Sequence, residues 1–163
     1  MSVPVGRRNQ SRLEVLYQAT VMNDEIAELA YRSFGIYSRN SILRRRFDHI
    51  TNHEENRQYL EKVIESYKDD LLKASSEVES LLKQAKSIYP TTMEEYRLRV
   101  DCQNRALMMC SHIKAMLHEL ARRFNVDLYL FENPINIINF ETKLIRNWKK
   151  SDRRRFYKKL ATS

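Results

Sequence analysis

Glycine and proline are scarce in this sequence. Two glycines and three prolines occur among 163 residues, whereas 31% of the residues are charged and 42% are hydrophobic. An all-β domain of this size needs many more turn-forming residues, so the composition favours an all-α protein. The chain is long enough to bury a core of its own. Gly35, Pro90 and Pro134 divide it into segments of helical length.

Long apolar runs are also lacking. None approaches the roughly 18 to 20 residues that a membrane-spanning helix needs, and the start of the chain, MSVPVGRRNQ, has no apolar centre of the kind found in secretory signals. Cys102 and Cys110 lie eight positions apart, about 12 Å along one helix, which is too far for a disulfide within it. We therefore expect a cytoplasmic protein with both thiols reduced and buried.

Motifs for catalysis or metal binding are nearly absent. The sequence contains no glycine-rich phosphate loop, no Cys-x-x-Cys pair and no His-Glu-x-x-His motif. His49 and His53 are spaced to reach one metal ion on a helix, as a small metal-dependent nuclease would require, but solvated polar residues at a helix junction are the better interpretation. His112 and His118 do not share a helix face, so they do not indicate a catalytic pair. We expect no enzymatic activity, no cofactor and no metal.

Apolar residues recur at helical spacing in the middle of the chain. From Leu60 to Ile88 they alternate steps of four and three, which predicts a long, coiled-coil-like second helix. Thr91 and Thr92, with Glu94 and Glu95, offer two overlapping capping boxes for a third helix. The short connection predicts an antiparallel hairpin of these two helices.

The first and last helices have start signals of their own. A capping box at Ser11 predicts a first helix beginning near Asn9 or Ser11, and Asn133-Pro134 is typical of an N-cap followed by proline at the first helical position. The first helix is apolar on two adjoining stripes, which suits contact with two neighbouring helices or with another subunit. One stripe comprises Leu13, Leu16, Ala27, Ala30 and Phe34, and the other Val15, Ala19, Met22, Ile26 and Leu29.

These segments predict an all-α fold, an antiparallel up-down four-helix bundle. We place the bundle at residues 1–150 and a basic C-terminal extension at residues 151–163. Residues 35–56 form either a short extra helix between the first two helices or an extension of the second helix that breaks near Thr51-Asn52.

Positive charge is concentrated near the carboxyl terminus. The segment RNWKKSDRRRFYKK carries a charge of +7 out of +8 for the whole chain. Clustered cations displace condensed counterions from nucleic acid, so this segment predicts a polyanion-binding site. The candidate contact residues are Arg146, Lys149, Lys150, Arg153, Arg154, Arg155, Lys158 and Lys159. The first four recur at three- and four-residue intervals and form a stripe that can follow a phosphate backbone.

Aromatic residues lie among these cations. Trp148, Phe156 and Tyr157 could stack on exposed bases, although we expect Trp148 to pack within the bundle. A second basic cluster, Arg44–Arg46, fans out around a helix, and solvated or acid-paired arginines are the favoured interpretation there. A solvated tail, an anionic lipid surface and an acidic protein are alternatives for the basic end; a lipid surface is disfavoured because the segment lacks a sustained apolar face.

Three stretches of the chain are similar to one known family: VPVGRRNQSRLEVL at residues 3–16, TTMEEYRLRVDCQNRAL at 91–107 and LIRNWKKSDRRRF at 144–156. Together they resemble the accessory variability determinants of diversity-generating retroelements. These four-helix-bundle proteins are related to others encoded in ribosomal-RNA intervening sequences of bacteria. The stretch from residue 35 to 61 departs from the family, being longer and more charged.

The resemblance implies a non-enzymatic partner of a reverse transcriptase. Members of that family form five-fold rings of bundles, bind the reverse transcriptase and its template RNA, and support mutagenic cDNA synthesis. By this resemblance the basic residues from Arg146 to Lys159 would face the polymerase or the nucleic acid, RNA or DNA, and Arg7, Arg8 and Arg12 are further candidates. The resemblance also implies a homo-oligomer, a pentamer in the family. The alternative is a helical adaptor that binds an acidic protein without touching nucleic acid.

Overall fold

The computed structural model describes residues 5–36, 53–124 and 126–162. Across these ranges the protein contains four long helices and no β-strand: α1 (Val5–Tyr31), α2 (His53–Ser87), α3 (Met93–Phe124) and α4 (Tyr129–Asp152). Beyond α4 the chain stays helical through a π-helical turn (Arg153–Tyr157) and a last short helix, α5 (Lys158–Leu160). Within the described part of the chain, no helix has the length and apolar composition needed to cross a membrane.

The four long helices pack as a closed ring. α1 packs against α2 and α4, and α3 packs against the same two helices. Two polar contacts show that α3 and α4 are antiparallel: Lys114, late in α3, bonds to Asn139, early in α4, whereas Arg99, early in α3, bonds to Asp152 at the end of α4. The predicted antiparallel up-down four-helix bundle is confirmed.

The wide apolar face of α1 is explained by its two neighbours. Val15, Ala19, Met22 and Ile26 are buried in the core, so the second predicted stripe faces the bundle. The other stripe is divided: it includes buried Ala30 and Phe34 and exposed Ala27. Contact with α2 and α4 therefore accounts for much of the apolar width, which was one of the two predicted explanations.

The α2–α3 hairpin forms as its sequence predicts. α2 stops at Ser87, and a capping box opens α3: Thr92 Oγ1 accepts the Glu95 N–H at 3.2 Å, and Glu95 Oε2 accepts the Thr92 N–H at 3.2 Å. Thr91 joins the same carboxylate through its N–H and its hydroxyl, both at 2.7 Å. These hydrogen bonds, the Thr91 hydroxyl foremost, lower the pKa of Glu95.

Two predicted helix starts are wrong. α1 begins at Val5, earlier than the capping box at Ser11, and α4 begins at Tyr129, so that Pro134 lies inside it. The start of α4 is set by Asp127, whose carboxylate accepts the Tyr129 N–H at 3.0 Å. Pro134 removes one helical hydrogen-bond donor, yet it is buried and the helix continues across it to Asp152.

A left-handed turn ends α1. Ser33, Phe34 and Gly35 have φ values of 50°, 55° and 71°, and the Phe34 ring is fully buried. A Cβ atom on Gly35 would lie 2.7 Å from Leu130 Cδ1, so the backbone angle favours glycine there and a larger residue would displace the end of the Leu130 side chain. The predicted extra helix or extension at residues 35–56 falls largely outside the described residues, and α2 begins at His53.

Candidate nucleic-acid interface

The predicted contact cations occupy the end of α4 and the helical turns that follow it. Lys149 is half-buried and donates a hydrogen bond to Asn104 of α3. The other seven are exposed: Arg146, Lys150, Arg153, Arg154, Arg155, Lys158 and Lys159. The one acidic side chain of this segment, Asp152, is only 1% exposed. All the charged groups that this segment presents to solvent are therefore positive, and we call it the cationic end (residues 146–159).

Asp152 is held by a buried arginine on α3. Arg99 donates from Nε to Oδ2 at 2.7 Å and from Nη2 to Oδ1 at 3.1 Å, and both side chains are 1% exposed. Gln103 Nε2 donates to the same Oδ2 at 2.8 Å. A buried ion pair requires such geometry because desolvation of both charges must be offset. The interaction fixes the end of α4 to the first turns of α3.

Arg99 also binds the end of α2. Its Nη1 donates to the carbonyl oxygens of Ala85 at 3.0 Å and Ile88 at 2.6 Å. The last turn of a helix has unpaired carbonyls and a partial negative charge, which a guanidinium satisfies. The same guanidinium lies 4.9 Å from the ring centre of Trp148 and 5.7 Å from that of Phe156. One arginine thus joins three helices beneath the cationic end.

The structure changes which aromatic rings a base could reach. Trp148 and Phe156 are each 4% exposed, so neither ring is open to stacking on a base, and the expectation that Trp148 packs in the bundle is confirmed. Tyr157 is 45% exposed and accessible. Tyr89, in the turn between α2 and α3, is 61% exposed and lies edge-on to Phe156 at 5.5 Å. Sequence reasoning missed Tyr89 because only the fold brings this turn beside the cationic end.

Arginines of the cationic end lie over these exposed rings. The Arg155 guanidinium is 5.8 Å from the ring centre of Tyr89 and 5.1 Å from that of Phe156. The Arg153 guanidinium is 5.9 Å from the ring centre of Tyr157, which in turn lies 5.9 Å from that of Tyr96. Each of the two exposed rings, Tyr89 and Tyr157, therefore has a guanidinium of the cationic end over it.

The sequence contained a signal for buried acidic residues in α4 that our sequence analysis missed. The buried face of α4 follows steps of three and four through Ile138, Glu141, Ile145, Trp148 and Asp152. Two of these five positions are acidic, and an acid in an apolar seam predicts a buried partner or a shifted pKa. In the sequence, Asp152 reads only as one negative charge within the basic segment, and Glu141 lies outside that segment.

Glu141 is the second buried acid. Its side chain is fully buried, and burial raises the pKa of Glu141 to about 8. Neither carboxylate oxygen has a hydrogen-bond partner among the described residues. The Glu141 carboxyl also acts on the thiol of Cys110: burial first, and then the charge of Glu141, raise the pKa of Cys110 to about 12.

The two cysteines differ in burial. Cys110 is buried as expected, whereas Cys102 is only partly buried, and neither forms a disulfide.

Most of the remaining sequence candidates have side chains outside the described part of the chain. The structure does not describe Arg44–Arg46 or His49. It also leaves undescribed the side chains of Arg7, Arg8, Arg12 and His53. His112 and His118 are exposed on α3. Among the side chains that the structure does describe, no three His, Cys, Asp or Glu residues come together in a way that could hold a metal ion.

No family model, curated protein or solved structure matches this chain.

Proposed function

We propose that this protein is a non-catalytic accessory subunit that binds a retroelement reverse transcriptase and its template RNA through the cationic end. The observation that carries the RNA-binding part is the exposure of seven cations on a helical end whose single acid is buried against Arg99. The polymerase partner and the role in mutagenic cDNA synthesis rest on the resemblance of residues 3–16, 91–107 and 144–156 alone.

Fixed cations suit phosphate binding. Each Lys or Arg that neutralises a phosphate releases condensed counterions, and this release favours binding of any nucleic acid. The backbone that carries these cations is held by Arg99, Gln103 and the packing of Phe156. Less conformational entropy is lost on binding when the cations already sit on an ordered helix.

Self-association forms part of the proposal. By the family resemblance the protein would be a homo-oligomer, a pentamer in the family. The outer side of α1 carries Tyr17 and Tyr31, exposed by 70% and 86%, and their spacing of two heptads places them on the same face of the helix. Exposed aromatic side chains of this kind are enriched where subunits meet. The mass of the assembly in solution, measured with and without RNA, tests this part.

The salt dependence of RNA binding tests the cationic end. If about five of its cations touch phosphates, log affinity falls against log salt with a slope of about −3.5 to −4.5. Replacing Arg153, Arg154 and Arg155 by alanine should lower affinity and flatten the slope. A matched variant that removes three exposed cations elsewhere, Lys62, Lys73 and Arg122, should change both much less. Equal losses in the two variants would mean that net charge, and not this surface, drives binding.

Side-chain replacement is a better test than truncation. A chain shortened after Trp148 loses Asp152 and Phe156 together with the cations, which leaves Arg99 buried without its counter-charge. Its loss of binding would then report misfolding. An intact chain that fails to shift structured RNA in a gel at moderate salt would instead favour an adaptor for an acidic protein.

A further inference from the structure

Two exposed tyrosines, Tyr89 and Tyr157, lie within the cationic end's surface and come from separate parts of the chain. Tyr89 is in the turn between α2 and α3, and Tyr157 closes the π-helical turn after α4. Each ring contacts a second aromatic ring: Phe156 lies edge-on to Tyr89 at 5.5 Å, and Tyr96 lies tilted against Tyr157 at 5.9 Å. Phe156 and Tyr96 are buried, so these contacts join the exposed rings to the packed interior.

Each exposed ring is also paired with an arginine that belongs to the predicted phosphate-binding set. Arg155 lies 5.8 Å from Tyr89, and Arg153 lies 5.9 Å from Tyr157. A guanidinium that lies over a tyrosine ring can itself stack on a base through its plane, and its N–H groups can bind the phosphate of the same nucleotide. Solvent-exposed lysines and arginines alone would not favour a single strand, because phosphate contacts carry no information about the bases and a duplex has the higher charge density.

We propose that Tyr89 and Tyr157 form a base-stacking platform, so that the cationic end binds single-stranded nucleic acid with unpaired bases in preference to a duplex. This inference rests on the proposed binding of nucleic acid and adds the class of strand. Bases in a duplex are stacked on each other and their faces are closed to a tyrosine ring. Unpaired bases of RNA and of DNA both offer a free face, and the stacking should be tolerant of sequence.

Arg99 explains why the platform is ordered. Its guanidinium lies 5.7 Å from the ring of Phe156, and its Nη1 binds the carbonyl oxygen of Ile88, the residue before Tyr89. The α2–α3 turn and the π-helical turn are thereby fixed by the same buried group. Rings ordered in advance lose little entropy when a base stacks on them.

Binding of the full-length protein to matched oligonucleotides tests the platform. The probes are a fluorescent uridine oligonucleotide of RNA, its duplex with an adenosine strand, and a thymidine oligonucleotide of DNA. Tyr89→Ala and Tyr157→Ala should each weaken binding of both single strands by about 5-fold or more, as expected for loss of one stacked base. Duplex affinity and the salt slope should stay as in the wild type, since no charge is removed.

Two matched variants separate stacking from folding. Tyr89→Phe and Tyr157→Phe keep an aromatic ring and should keep wild-type affinity. Tyr59→Ala removes a tyrosine that is 69% exposed on α2 and belongs to neither proposed surface, so it should leave affinity for all three probes unchanged. A strand carrying one 2-aminopurine should lose fluorescence on binding when its base stacks, and the alanine variants should reduce that loss.

The outcomes distinguish the inference from the function on which it rests. If replacing Arg153, Arg154 and Arg155 weakens binding while both tyrosine-to-alanine variants bind single strands as the wild type does, the platform is refuted and the cationic surface stands. If neither set of changes alters the binding of any probe, both are refuted. Equal weakening of duplex and single-strand binding by the tyrosine variants would also overturn the platform. If the tyrosine-to-alanine variants weaken binding of the RNA strand but not of the DNA strand, a stacking mechanism shared by RNA and DNA is refuted.

Discussion

Arg99 and Asp152 are 53 positions apart in the chain, yet they form a two-point ion pair that is almost fully buried, with N–O distances of 2.7 and 3.1 Å. The pair lies directly beneath seven exposed cations. Because Arg99 also binds the last carbonyls of α2, the geometry of the candidate interface depends on one buried group. Asp152 is thus paired in the protein interior, and its negative charge does not reduce the positive electrostatic potential of the exposed cations.

We expect the single replacements Arg99→Met and Asp152→Asn to destabilise the fold by about 3–5 kcal/mol each, because each leaves a buried charge or polar group without its partner. The double variant Arg99→Met/Asp152→Leu should recover much of this loss, since no buried charge remains. Urea denaturation gives the free energy of unfolding of each variant.

An exposed ion pair serves as the control for that series. Arg105 lies 3.4 Å from Glu77, and both side chains are about half exposed. Arg105→Ala should therefore change stability by at most about 1 kcal/mol. An Asp152→Asn protein as stable as this control would show that the buried pair does not hold the end of α4.

The helices could be predicted because their apolar spacing is a local property of the sequence. The α2 seam and the Thr92–Glu95 box are examples, since each depends on residues within one helix or one turn. The start of α4 could not be predicted in the same way: Asn133-Pro134 is a good N-cap signal, but Asp127 provides an earlier one, and the apolar residues between them favour continuing the helix.

The cations of the candidate site could be predicted from the sequence, whereas the aromatic contacts around them could not. Long cationic side chains are rarely buried, so the exposure of the cationic end followed from composition. Burial of Trp148 and Phe156, and the arrival of Tyr89 beside Arg155, depend on which helices pack together. Periodicity does not specify these contacts, because it identifies a buried face without naming what covers it.

The capping box at the start of α3 offers a second test. Thr92→Ala removes the acceptor for the Glu95 N–H and should cost about 0.5–2 kcal/mol of stability. Thr20→Ala, at an exposed position within α1, is a matched threonine whose loss should have a smaller effect. Thermal unfolding followed by circular dichroism measures both, and equal shifts in the two variants would rule out a special role for Thr92.

Glu95 adds a pH dependence to the same cap. Its pKa is lowered from 4.5 by hydrogen bonds from Thr91 and Thr92. A lowered pKa contributes stability that is present above pH 4.5 and is lost as the pH falls through the folded-state pKa. Glu95→Gln should therefore destabilise the protein at neutral pH and much less in acid, which unfolding curves across that range will show. A loss that is independent of pH would contradict this.

The left-handed turn after α1 gives a fourth prediction. Gly35→Ala should destabilise by roughly 1–2 kcal/mol through its positive φ alone, and further because the new Cβ would lie 2.7 Å from Leu130 Cδ1. Leu130→Ala removes that contact, so the double variant should be less unstable than the sum of the two single changes. Additive losses in a double-mutant cycle would show that backbone strain alone requires the glycine.

The last prediction concerns Glu141, the buried acid without a hydrogen-bond partner among the described residues. Burial raises its pKa from 4.5 to about 8, so the unfolded chain gives up its proton at a lower pH than the folded protein. Between these values the folded state binds more protons than the unfolded state, and stability falls as the pH rises, by up to about 1.4 kcal/mol per pH unit. Below pH 4.5 the effect vanishes because both states are protonated.

Glu141→Leu removes this titration and keeps an apolar side chain of similar size in the seam of α4. We expect the variant to be more stable than the wild type at neutral pH, with a gain that grows from pH 4.5 towards pH 8 and then levels off. Glu132→Leu, at an exposed position of the same helix, should show no such pH-dependent gain. Urea denaturation over this pH range measures the difference. A gain that stays constant across the range would mean that Glu141 titrates in the folded protein as it does in the unfolded chain.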